Sequence, residues 1–74
     1  MVRTWNEVEL SRNVGLYLKN QLKERKITQE EFAESVNVDP RTVRRWIGYG
    51  VHSLDVLVLI ATSLDVDLRD VLSA

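Results

Sequence analysis

Seventy-four residues with no cysteine, one histidine and one proline make one small domain, without a disulfide framework or a thiolate zinc site. A hydrophobic fraction of 45% and a charged fraction of 28% exclude a disordered tail. The net charge of −1 is made of blocks, basic over 1–27 and 39–50 and acidic over 28–38 and 51–74, so a basic face can still meet a polyanion.

Only Gly15, Pro40, Gly48 and Gly50 interrupt the chain, and apolar residues recur at three- and four-residue spacing, which predicts an all-α fold. The first helix carries Leu10, Val14, Leu18 and Leu22 in one row, with Tyr17 beside them. It ends in Lys23, Arg25 and Lys26, where cations suit the negative end of the helix dipole. Two starts fit it, a capping box at Thr4-Trp5-Asn6-Glu7 or a cap at Ser11. The Ser11 start is preferred, with residues 1–10 as an N-terminal arm and 11–74 as the domain. Gly15 inside this helix is either a close-packing site or a tolerated glycine.

Thr28-Gln29-Glu30-Glu31 is a capping box that opens a second helix, with Phe32, Ala33 and Val36 on its inner face. It stops at Asn37, a residue that tolerates the left-handed conformation. After Val38, Asp39 caps a third helix with Pro40 in its first turn, running to about Ile47 before Gly48-Tyr49-Gly50. Ser53 caps a fourth helix over Leu54 to Leu64, and Asp67 a short fifth over Leu68 to Ser73.

On a helical wheel the third helix has Val43, Trp46 and Ile47 on one side. Arg41, Arg45 and, less centrally, Arg44 lie opposite, with Thr42 at the boundary. A helix this closely joined to its predecessor forms a helix-turn-helix, spanning 28–47, whose second helix fits a DNA major groove. Arginine's planar fork matches guanine's groove edge or a phosphate. Gln29, at the start of the second helix, suits a phosphate contact.

From Gly15 to Leu72 the chain resembles the Cro/repressor (XRE, lambda-repressor-like) helix-turn-helix family. Thr28-Gln29-Glu30-Glu31-Phe32-Ala33 is similar to the family's SQEELA, and Asn37-Val38-Asp39 stands at its Gly-Val-Ser turn. Val43 and Trp46 match recognition-helix core positions. Ser53-Leu54-Asp55, Leu57, Ile60-Ala61, Leu64, Val66, Leu68 and Leu72 follow its SLDTLLKIAKALGVSLDELL. The resemblance implies a compact five-helix lambda-repressor-like domain that binds double-stranded DNA sequence-specifically and regulates transcription. By that resemblance bases would be read by Arg41, Thr42, Arg44 and Arg45 and a phosphate held by Gln29; Thr28 is a further expected phosphate contact, and His52 is either a plain loop residue near the end of the third helix or another phosphate contact. The sequence departs from the family at Pro40, which can donate nothing, at Asn37 in place of glycine, in the shifted Gly48-Tyr49-Gly50, and in the apolar Val56, Val58 and Leu59.

Leu57, Ile60, Ala61 and Leu64 already give the fourth helix an inward face. Val56 and Leu59, with Val51 nearby, add a second stripe, expected as the interface of a homodimer. The competing reading is that the fifth helix, or Trp5 and Val8, covers it.

Glu30, Glu31 and Glu34 read as a capped, solvated helix face without a nucleophile or base beside them, so no enzyme is expected. Neither a cofactor, a metal nor a small-molecule ligand is expected. The stretch from Val56 to Ala61 is too short to cross a bilayer, and no signal-peptide core follows Arg3, so a cytoplasmic protein without a membrane partner is expected. The alternative to a DNA-binding regulator is a protein-interaction or antitoxin-like module on the same scaffold.

Overall fold

The computed structural model describes residues 6–72, which form five helices: α1 (Glu7–Arg25), α2 (Gln29–Ser35), α3 (Pro40–Tyr49), α4 (Leu54–Leu64) and α5 (Leu68–Leu72). No strand occurs among the described residues. Trp5 and the rest of residues 1–5 lie outside them, as does Ser73.

α1 starts four residues earlier than the expected Ser11. Asn6 is its N-cap, with Oδ1 accepting from the N–H groups of Val8 (2.8 Å) and Glu9 (3.3 Å). Residues 7–10, assigned to an arm, are therefore helical. Ser11 is buried instead. Its Oγ donates to the Val8 carbonyl at 2.8 Å, and its own carbonyl accepts from Val51 N–H at 3.0 Å. A serine inside a helix satisfies its hydroxyl this way, so a cap residue and an interior one look alike in sequence.

The core is one cluster. Val14, Leu18 and Leu22 of α1 pack with Phe32 and Ala33 of α2, Val43 and Trp46 of α3, Ile60, Ala61 and Leu64 of α4, and Val71 of α5. Leu18 and Ile60 are fully buried, each worth about 1.5–3 kcal/mol of transfer free energy. α1 is the central element, with its broadest contact on α3.

Gly15 makes that contact possible. A Cβ there would lie 2.3 Å from the Trp46 carbonyl oxygen and 3.2 Å from that of Ile47. The two backbones thus approach closely at this glycine, which resolves the two readings of Gly15 in favour of packing.

α1 and α4 end in left-handed residues, Lys26 (φ 57°) and Asp65 (φ 54°), and Asn37 (φ 59°) closes the turn after α2 as expected. Ser53 occupies the cap position of α4, but its side chain makes no capping hydrogen bond. Asp67 does cap α5, accepting from Arg69 N–H at 2.8 Å.

Candidate nucleic-acid interface

The helix-turn-helix is built from local rules. Thr28 Oγ1 accepts from Glu31 N–H at 3.0 Å, and Glu31 Oε1 accepts from Thr28 N–H at 3.1 Å, completing the capping box. α2 ends at Ser35, two residues short of the expected stop, with Val36 as its cap. The Val38 N–H then donates back to the Ala33 carbonyl at 2.9 Å, closing the turn against a fully buried alanine.

Asp39 Oδ1 accepts from Arg41 N–H at 2.8 Å, and Pro40 follows in the first turn. That backbone hydrogen bond, and then the one from the Arg41 side chain, hold the Asp39 carboxyl below its ordinary range.

α3 continues through Gly48 to Tyr49, two residues beyond the expected end, and Gly50 (φ 100°) terminates it. Gly50 could carry no side chain, because a Cβ would lie 2.8 Å from Ser11 Oγ. The chain then bends by 107° between α3 and α4.

Val43 is fully buried and Trp46 is buried, so the tryptophan belongs to the core and leaves α3's arginine side outermost. The Arg41 side chain is 80% exposed and reaches Asp39 Oδ1 through Nε at 3.4 Å. Arg44 lies 3.7 Å from Glu30 Oε1. Arg45 is exposed, and Thr42 is half-buried at the edge of the face. Exposed pairs of this kind are worth about 0–1 kcal/mol, so both paired arginines can exchange their carboxylates for another anion at little cost.

Beside α3, an open concavity of 480 Å³ is lined by Lys19, Lys23, Thr28, Gln29, Glu30 and Arg44, over Leu22 and Ile27. It brings Gln29 and Thr28 together with the basic end of α1. Lys19 joins this set without being singled out by the sequence, where its signal is the i, i+4 spacing to Lys23 on the exposed side of α1. His52 stands apart at the junction of α1 and α4, with Nδ1 3.9 Å from Glu7 Oε1. That carboxylate opposes an anion at His52.

The expected dimer stripe is partly wrong. Val51 is only 4% exposed and belongs to the chain's own core, held there by its N–H bond to Ser11. Val56 and Leu59 are half-buried against the same core. The large apolar side chains that α4 exposes are Leu54 (69%) and Val58 (50%), one turn apart. The Val51 N–H bond to the Ser11 carbonyl ties the segment before Ser53 to α1, and this takes Val51 out of the stripe.

Among the described residues, no group of three or more histidine, cysteine or acidic side chains could hold a metal ion. No single helix there is long and apolar enough to cross a membrane.

A family model for the helix-turn-helix (HTH_3) matches residues 18–71. Among solved structures, the clp gene regulator ClgR from C. glutamicum is similar, with a TM-score of 0.76 and 25% sequence identity. The match covers 86% of this chain and 84% of that one. No curated protein matches the chain.

Proposed function

The chain belongs to the Cro/repressor-type helix-turn-helix family, and we propose that it is a transcriptional regulator that binds double-stranded DNA sequence-specifically, in the manner of a repressor. The observation that carries this reading is the outward arginine face of α3, with Arg41 and Arg45 solvent-exposed on a helix whose opposite side packs into the core through Val43 and Trp46. A helix of that build seats in a major groove with its N-terminal residues over the bases. Arg41 and Arg45 read bases, with Thr42 at the edge, and Arg44 reads a base or a phosphate. Gln29, Thr28 and the lysines of the adjoining concavity hold the phosphate strand, which sets position without reading sequence. His52 is the weakest member of the phosphate set, because Glu7 competes for it.

One α3 offers few base contacts against a genome of competing sites, so the working unit is a two-fold homodimer reading an inverted repeat. Half-sites would then lie about 34 Å apart. The exposed Leu54 and Val58, with the half-buried Val56 and Leu59, are the surface that favours self-association.

Selection of bound sequences from a random duplex pool tests the reading. An inverted repeat with guanines in each half-site is the expected result. Arg45→Ala should then relax one position of each half-site and cost about 1–3 kcal/mol. Unchanged sequence preference in both Arg41→Ala and Arg45→Ala would remove α3 from the groove. Binding of a protein partner through α4, with no duplex selected, would replace the DNA reading with an interaction module.

A further inference from the structure

The last turn of α3 holds a feature that the fold does not need. Gly48 lies inside the helix and is exposed, and a Cβ built on it meets no atom of the described residues within 4 Å. Its backbone φ is not positive, since Gly50 is the positive-φ glycine. Neither crowding nor backbone conformation therefore calls for glycine here. Gly15 and Gly50 differ, because an added Cβ at either would collide with a neighbouring element. Glycine is also among the worst residues for a helix interior, so Gly48 weakens α3 and returns nothing to the isolated chain.

What distinguishes the position is its face. Gly48 follows Arg41 by two helical turns, and Arg44 and Arg45 by one, so it stands at the C-terminal end of the arginine row. Tyr49 flanks it, 78% exposed, as a large aromatic wall beside a bare strip of backbone. An exposed helical glycine bordered by outward arginines is suited to a polyanion that comes to van der Waals distance of the backbone.

Resting on the DNA reading above, we infer that Gly48 is a DNA-contact position: the sugar edge of one strand of the duplex passes against the bare backbone of α3's last turn. The N-terminal part of such a helix lies over the bases, so its C-terminal turn meets the groove wall. The negative end of the helix dipole disfavours a phosphate at that turn. The uncharged sugar edge therefore faces Gly48, and the flanking phosphate falls to Arg44. A side chain at 48 would hold the strand off the last turn of α3 and weaken this sequence-independent contact.

The test is a graded series, Gly48→Ala and Gly48→Leu, in the full chain, read by melting temperature and by affinity for one half-site duplex and several of its single-base variants. The position is exposed and its Cβ site is open among the described residues, so neither substitution should lower the Tm, and Gly48→Ala should raise it by roughly 2–6 °C. Affinity should fall in the order Gly, Ala, Leu, by about tenfold or more for Leu, and by the same factor on every duplex. Wild-type affinity in Gly48→Leu would overturn the inference. So would a loss confined to particular bases, which would put residue 48 over the groove floor. Loss of self-association at unchanged half-site affinity would also overturn it, by making this turn a protein contact. If the wild-type chain selects no duplex at all, the DNA reading itself falls, an outcome separate from these.

Discussion

Gly15→Ala places one methyl group where α1 and α3 come closest. The added Cβ would sit 2.3 Å from the Trp46 carbonyl oxygen, about 1 Å inside ordinary contact, and 3.3 Å from Ile47 Cα. The obstructing atoms are backbone, so no rotamer change relieves the clash; α1 and α3 must separate or slide. Overpacking a well-filled contact costs about 1–3 kcal/mol, more when backbone must move. Alanine's better helix propensity returns at most about 1 kcal/mol. The net expectation is a loss of roughly 2 kcal/mol, out of the roughly 4–11 kcal/mol that a domain of this size holds. Urea unfolding followed by circular dichroism measures it, and the Tm should fall by about 8–16 °C. α3 carries the arginine face, so the same displacement should weaken DNA binding at temperatures where the variant is still folded. Stability equal to or above wild type would refute the close approach of α1 and α3.

Gln29→Ala should lower affinity for all duplexes alike by about 0.5–1.5 kcal/mol, measured by titration against matched and mismatched sites; a changed preference would contradict a phosphate role. Val58→Glu should abolish cooperative binding to a full inverted repeat while half-site affinity and Tm stay near wild type, whereas retained cooperativity would move the dimer surface off α4. The Asp39 carboxyl titrates below its ordinary 3.8 because Arg41 N–H and then the Arg41 side chain donate to it, and Asp67 does the same because the Arg69 side chain and then its N–H donate to it. A depressed folded pKa means that this stabilisation is fully present above pH 3.8 and is lost as pH falls through the folded value. Asp39→Asn keeps a capping acceptor that does not titrate, so its stability should fall less steeply with acid than wild type between about pH 5 and pH 2. Equal steepness would show that the cap does not feel the proton.

The elements that local chemistry dictates were legible in the chain. The Thr28–Glu31 box, the left-handed Asn37, the Asp39 cap and the bounds Leu54–Leu64 each depend on residues within a turn of one another, and each stands in the structure as read. The arginine face of α3 was legible for the same reason, since one helix with a buried valine and tryptophan leaves a single side for its charges. Tertiary packing decided the rest. Ser11 carries the same hydroxyl at a cap or in a helix interior, and only the structure, with α1 starting at the Asn6 cap and Val51 N–H held on the Ser11 carbonyl, shows it to be interior. Val51 reads as surface apolar until the chain, bending sharply after α3, places it against α1, where it is buried, while α4 exposes Leu54 and Val58. Three glycines of identical chemistry divide only in space. Gly15 admits a neighbouring backbone, Gly50 supplies a positive φ against Ser11, and Gly48 faces none of the described residues. A glycine's role depends on what stands where its side chain would be, and that position belongs to another element, distant in sequence, whose placement no local pattern encodes.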